Sequence, residues 1–378
     1  MAGKALPNFA DFVAATAIHP LTKPDEVLND AIKRTYGFFS DMVLGRAKEE
    51  MIRGGVKISE WVQLAKSSQA GFYQPGEELT VAGDDTLVQV DFQWRFMKNV
   101  YGWVDQEVML NEGDTKALYK RIAIAKRQNC VLSGIDFMED AFISAVPVTS
   151  TMETSTGTTP YCLRAFITEA GGVPTANATV GGITIGDGSG TGTWTTVAGA
   201  SPTTYTRWKN QVANYNPNSP ATTLRKSFGT LWRKLKFKAP KTKEDFFKNE
   251  LFRKIRIWTS ADGQDMYETV LADGNDSFAP KADAGGITDS PVFRGLPVEY
   301  IEAMDDIGYT AGQPRYFFPN LEYLFPVFHQ DRMFEEKKPV NGAPVNQPES
   351  WKVFVLNWYQ VVCRSRYRQG IIVPSTTA

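Results

Sequence analysis

Histidine is nearly absent from this chain: His19 and His329 are the only two in 378 residues. That scarcity removes most acid–base and metal chemistry, and no H-E-x-x-H helix is present. His19 lies between Ile18 and Pro20, and His329 ends the aromatic stretch Phe325–His329, so each reads as a packed residue and not as a base or ligand. Cysteine is as sparse. Cys130, Cys162 and Cys363 have no short spacing, which argues against a disulfide framework or a thiolate zinc site and fits synthesis in a reducing cytoplasm. No run of about 18 apolar residues occurs, which argues against a membrane-spanning helix. The apolar run Phe12–Ile18 is short, follows Asp11 and lacks the basic-then-apolar build of a signal peptide, so it is expected to be mature protein. The formal net charge is −1, too small for a global field that steers the chain onto DNA or a membrane.

Phosphate and nucleophile motifs are also missing. Gly186–Gly192 is dense in glycine but contains no Gly-Lys-Ser/Thr, and it reads as a tight turn. Ser189 is preceded two positions earlier by Asp187, not glycine, so it sits in no nucleophile elbow. Adjacent acids occur at Glu77-Glu78, Asp84-Asp85, Asp305-Asp306 and Glu335-Glu336, a spacing that gives solvated loops more often than an acid and a base. The paired carboxylates of a glycosidase can lie far apart in sequence, so the chain is also compatible with a secreted carbohydrate-active enzyme. No catalytic, cofactor-binding or metal-binding residue is assigned, no cofactor is expected, and the chain reads as a structural subunit and not an enzyme.

What is present is pattern. The length exceeds what one compact core usually holds, so two or three lobes are expected. Residues 1–70 alternate short helical pieces with breakers, as in an arm that needs outside surfaces to pack on. From Gly76 the period changes. Val88, Val90, Phe92, Trp94 and Phe96 alternate with polar residues, and Val100, Tyr101, Trp103 and Val104 continue the run, predicting a long two-stranded ribbon. Asp114 to Ser144 predicts one long helix, with Asp114 as its N-cap. Residues 171–206 hold nine glycines, ten threonines and a single charge at Asp187, and predict a β-hairpin turning at Asp187–Gly190. Ser219-Pro220 opens a helix whose Leu224, Phe228, Leu231 and Leu235 share one face. A strand is expected over Lys254–Trp258, a helix capped by Ser260 follows, and further strands lie near Val292–Ile301 and Arg315–Phe318. The segment from Trp351 to about Arg368 predicts a last long strand, buried on both faces. Between Arg225 and Arg256 stand twelve Lys or Arg against three acids, a basic segment suited to nucleic acid or to an acidic region of a neighbouring copy.

This order of arm, ribbon, long helix, Gly-rich β lobe and closing strand resembles the HK97-like major capsid proteins of tailed bacteriophages. The segments Val292–Tyr300, entered through Gly-Leu-Pro, and Asn357–Gly370 are similar to strands of that family. The resemblance implies an α+β fold with an N-terminal arm over 1–75 and an extended two-stranded E-loop over 76–112. The spine helix and start of the P-domain would occupy 113–164. The A-domain would take 165–252 and 276–350, interrupted by a P-domain strand and helix over 253–275, and the C-terminal P-domain strand would be 351–378.

The function implied is a capsid protein that self-assembles into an icosahedral shell around double-stranded DNA bound without sequence specificity. Its expected partners are copies of itself in pentamers and hexamers, a separate scaffolding protein and a portal, with no membrane. Its expected place is the virion, after synthesis in the host cytoplasm. An encapsulin-like nanocompartment shell and a nucleic-acid-binding protein using 225–256 are also compatible with the sequence. Phe92, Trp94, Phe96 and Trp103 are the expected inter-subunit contacts. Replacing Phe92, Trp94 and Phe96 together by Asp is expected to leave a folded subunit that forms no shells.

Overall fold

The computed structural model describes residues 37–44, 51–64, 72, 74, 87–104, 115–174, 178–180, 183–185, 194–235, 255–273, 291–341 and 350–376. His19, most of the expected arm, residues 76–86 and 105–112 of the expected ribbon, Asp114, the turn at 187–190 and 236–254 of the basic segment lie outside them.

In chain order the strands are β1 (Met51–Ile52), β2 (Lys57–Gln63), β3 (Leu87–Gln93), β4 (Arg95–Val104), β5 (Ala178–Val180), β6 (Ile183–Ile185), β7 (Gln211–Tyr215), β8 (Ile257–Thr259), β9 (Val292–Phe293), β10 (Leu296–Tyr300), β11 (Tyr316–Phe318), β12 (Leu324–His329), β13 (Glu335–Glu336), β14 (Val340–Asn341), β15 (Ser350–Cys363) and β16 (Gly370–Pro374). The main helices are α1 (Thr115–Phe142), α2 (Pro220–Lys234) and α3 (Ala261–Asp273). The chain divides into two compact units. One is built within Met1–Gly54, Arg95–Asp140 and Val327–Tyr359, the other within Gly55–Trp94, Ala141–Pro326 and Gln360–Ala378.

The first unit is organised on β4 and β15, which pair antiparallel from Arg95↔Tyr359 to Val104↔Ser350. Their sheet also contains β12, β13, β14 and β1, the last parallel to β12. Alternation along the strands puts Tyr101, Trp103, Val353 and Val355 on one face, where they cluster with Cys130 of α1. From Lys126 onward α1 buries Cys130, Val131, Gly134, Ile135, Met138 and Glu139, a stripe at helical spacing. Gly134 lets the helix approach β4 closely: a Cβ there would lie 3.0 Å from Asn99 Nδ2. The Asn99 amide in turn donates to the Cys130 carbonyl.

The second unit holds a six-stranded sheet in the order β7-β16-β11-β8-β10-β9, with β7 and β8 joining their neighbours β16 and β10 in parallel. α2 packs on β7 and β16, and α3 on β8, β10 and α2. As the sequence predicts, Pro220 occupies the first turn of α2, and Leu224, Phe228, Leu231 and Leu235 are all fully buried. Phe228 is the hub, with ring centroids of Tyr267, Tyr316, Phe293 and Phe318 at 4.9, 5.1, 5.1 and 5.3 Å. The backbone N–H of Ala261 at the start of α3 is taken by Asp305 Oδ1 at 3.0 Å, an acceptor supplied from a distant turn.

Several expectations change. β3 and β4 do not pair with each other: β3 pairs antiparallel with β2 over seven residues, and β4 with β15. The strand β2 lies where the sequence pattern predicts helical pieces. Ile58, Val62, Val90 and Phe92 line the buried face of β2–β3, so the alternation there reports that face and not a β3–β4 ribbon. Within the Gly/Thr-rich segment β5 and β6 pair antiparallel, from Ala178↔Ile185 to Val180↔Ile183, and the turn expected at 187–190 lies outside the described residues. The closing strand ends at Cys363. A 3-10 turn, Arg366–Arg368, then leads into β16 in the other sheet, where β16 is buried throughout. β8 and α3, expected apart from the lobe around them, share one sheet and helix layer with β7, β10, β11 and β16.

Candidate assembly surface

The face of β4–β15 turned away from the Tyr101–Trp103 cluster is apolar and open. Phe96 is 64 % exposed and Val100 42 % exposed. They stand opposite Trp358 and Phe354, with the exposed Lys98 between them opposite Leu356. Phe354, Leu356 and Trp358 are half-buried. The Phe96 ring meets Trp358 edge-on at 4.8 Å. His329 lies 5.3 Å from the same indole, and Arg332 stacks over it at 5.2 Å.

β2–β3 presents a second open face. Trp61 is 66 % and Leu87 50 % exposed. Beside them Lys57 Nζ pairs with Asp91 at 2.5 Å, Ser59 Oγ donates to Asp91 at 2.7 Å, and the Gln89 amide donates to Asp91 at 2.8 Å. Partial burial raises the Asp91 pKa, but these hydrogen bonds and the Lys57 charge outweigh it and leave it below the ordinary aspartate value.

Of the four aromatics expected at subunit contacts, Phe96 alone faces outward. Phe92 is fully buried, its ring 5.8 Å from Tyr161 and 6.2 Å from Phe166. Trp94 is buried and donates its indole N–H to the Gly55 carbonyl at 2.9 Å. Trp103 is buried and stacks on Trp351 at 6.5 Å. Residues 92, 94 and 96 do not lie on one continuous face because Trp94 separates two strands that pair with different partners. Asp at Phe92 and Trp94 would place charge in a packed interior and prevent folding, so the triple substitution cannot isolate assembly.

Trp61, Val100 and the β15 residues escape sequence reasoning for related reasons. Ile58 and Val62 share the buried face of β2, but Glu60 between them and Trp61 on the open face break the apolar–polar alternation that would reveal a strand. The near-continuous apolar run of β15 reads as buried on both sides, whereas its first half alternates between buried and half-buried.

Titratable groups in the interior serve as clasps. Glu139 on α1 accepts from the backbone N–H groups of Phe38 and Phe39, each at 3.0 Å. Its burial pushes the carboxyl up to about 7 against those hydrogen bonds. Glu153 accepts from Thr196 Oγ1 and the Ala198 N–H, each at 3.1 Å, and burial raises it to about 7 as well. Arg315 and Glu169 form a buried ion pair at 3.2 Å. Arg366, fully buried, donates to the carbonyls of Phe166, Trp208 and Gly172 at 2.9, 3.0 and 2.7 Å. Glu139, Glu153 and Arg366 thus hold backbone. Cys130, Cys162 and Cys363 are buried thiols in no disulfide, and burial pushes Cys363 up to about 12. Among the described residues no group of three His, Cys, Asp or Glu is placed to hold a metal ion, and no helix is long and apolar enough to cross a membrane.

The long helix α1, the β4–β15 sheet and the second sheet with its α2–α3 layer make up an HK97-like α+β capsid fold. Among solved structures the chain is similar to one from the capsid asymmetric unit of cyanophage A-1(L), with 15 % identity, 88 % of this chain and 92 % of that chain covered, and a TM-score of 0.52. It is also similar to a chain of the capsid of the native GTA particle, with 9 % identity, 89 % and 90 % covered, and a TM-score of 0.50. No protein-family model matches the chain, and no curated protein matches it.

Proposed function

We propose that this chain is a major capsid protein that assembles with copies of itself into an icosahedral shell enclosing double-stranded DNA. The observation that carries this reading is the likeness to the cyanophage capsid chain, which covers 88 % of this chain and 92 % of that one. The open apolar faces support it. Phe96 and Val100 on one sheet, and Trp61 and Leu87 on the β2–β3 ribbon, leave large side chains in water that a contact with a neighbour would cover. Pentamers and hexamers, a separate scaffolding protein, a portal, location in the virion and a structural role without catalysis belong to the same proposal.

The division into capsid regions is also proposed, with its boundaries redrawn. The E-loop is assigned to β2 and β3 in place of 76–112. β4 then belongs with β15 and α1, and β8 and α3 belong with the A-domain sheet.

The test is to express the chain with its candidate scaffolding partner and image the product by negative stain. Closed shells are expected from wild type. Phe96→Asp combined with Val100→Asp, both at exposed positions, should leave the circular dichroism spectrum unchanged and reduce shell yield at least tenfold. A wild-type chain that stays monomeric under all assembly conditions overturns the reading.

A further inference from the structure

The two helices on the second sheet carry opposite charge. α2 holds Arg225, Lys226, Arg233 and Lys234 and no acid, whereas α3 holds Asp262, Asp265, Glu268 and Asp273 and no base. Arg225, Lys226, Arg233 and Lys234 are exposed, as are Asp262, Asp265 and Glu268. The turn Glu302–Ile307 after β10 extends the acidic side with exposed Glu302, Asp305 and Asp306.

Helix dipoles account for part of this, since Arg233 and Lys234 end α2 and Asp262 begins α3. They do not account for Arg225 and Lys226 early in α2, nor for Asp265 and Glu268 in the body of α3. The two helices pack against each other through apolar groups, with Phe228 and Tyr267 stacked at 4.9 Å. α2 covers the β7 end of the sheet and α3 the β10 end, so the basic helix and the acidic helix lie toward opposite edges of one layer.

We propose that copies of this chain associate head to tail, the basic outer face of α2 on one copy meeting the acidic face of α3 and the 302–307 turn on the next. This rests on the shell reading and names the surface that orders copies within a capsomer. Two different, complementary faces give a heterologous contact, and such a contact repeated by a closing rotation produces a ring. Charge on both faces also sets direction, because two like faces brought together repel.

The test uses the full-length chain under assembly conditions, with native mass spectrometry for capsomers and electron microscopy for shells. The basic-face variant is Lys226→Glu and Arg233→Glu, with Arg225, whose charge acts on Tyr267 of α3, left in place. Lys234 is left in place because its Nζ donates to the Val212 carbonyl at 2.7 Å. The acidic-face variant is Asp265→Lys and Glu268→Lys. Each should keep the wild-type circular dichroism spectrum and melting behaviour and lose capsomers at least tenfold.

Wild-type capsomers should also weaken as salt rises from about 50 to about 500 mM, because screening acts on exposed charge (on the order of a 3 Å Debye length at 1 M against 10 Å at 0.1 M). If wild type itself never associates, the shell reading falls first. If wild type assembles and both variants assemble equally well, the head-to-tail contact is overturned. A basic-face variant that forms normal shells but retains less DNA would assign α2 to nucleic acid and equally overturn it.

Discussion

At the scale of single residues, the interior of this chain is held by side chains that grip backbone. Arg366 satisfies three carbonyls from three separate segments. Arg366→Ala leaves those carbonyls buried without their donor and is expected to cost about 3 kcal/mol or more, read as a fall in the urea midpoint at constant slope. Gln360, Asn210 and Gln369 do similar work with neutral amides. Gln369, for example, accepts from the Asn320 N–H at 2.7 Å and donates to the Asn320 carbonyl at 3.1 Å, as a paired strand would.

Glu139 adds a pH dependence. Its carboxyl is raised in the fold, so the folded chain holds a proton that the unfolded chain releases between its ordinary value, 4.5, and about 7. Its contribution to stability is therefore full below about pH 4.5 and lost as pH rises through about 7, a change of about 3 kcal/mol. Glu139→Gln should remove that component. Urea midpoints at pH 5 and pH 8 should differ less in the variant than in wild type, and an unchanged difference would show that Glu139 does not titrate this way.

At the scale of elements, the β4–β15 ladder depends on one glycine. A Cβ at Gly102 would fall 2.4 Å from the Trp351 carbonyl oxygen, a backbone atom that cannot swing aside. Gly102→Ala is expected to push the strands apart, disturb the Trp103–Trp351 stack and lower stability by about 1–3 kcal/mol, with a changed near-ultraviolet tryptophan spectrum. Helix α2 shows what a sequence reveals well. The Ser-Pro start and the apolar spacing from Leu224 to Leu235 lie within one short window, and the helix forms where that window places it. The partner of β3 is not legible in this way. Val88, Val90 and Phe92 announce a strand with one buried face, but the same alternation is compatible with pairing to β2 or to β4. Only contact with the second unit's core, where Phe92 meets Tyr161 and Phe166, selects the first.

At the scale of the whole molecule, the exposed aromatics define the surfaces an assembled shell should cover. Phe96 and Trp61 are expected to be oxidised readily by hydroxyl radicals in the isolated subunit and protected severalfold in shells. Phe92 and Trp94 should be protected in both. Equal labelling of Phe96 and Trp61 in the two states would remove them from subunit contacts. The charge layer of α2 and α3 belongs to this scale too, because neither helix alone carries direction; the two together do.

The sequence by itself determined the α+β composition, the long helix, the capped α2, the order of elements that resembles the HK97-like capsid family, and the scarcity of groups for catalysis. These depend on residue type and on periodicities that span a few turns or a few strand residues. The tertiary structure alone decided that β4 pairs with β15 across most of the chain's length, that β3 turns to β2, and that Phe96 stays outside while Phe92, Trp94 and Trp103 go in. Alternation fixes that a strand has two faces. Which face meets the core is set by whichever distant segment packs against it, and that choice is not written in the local pattern.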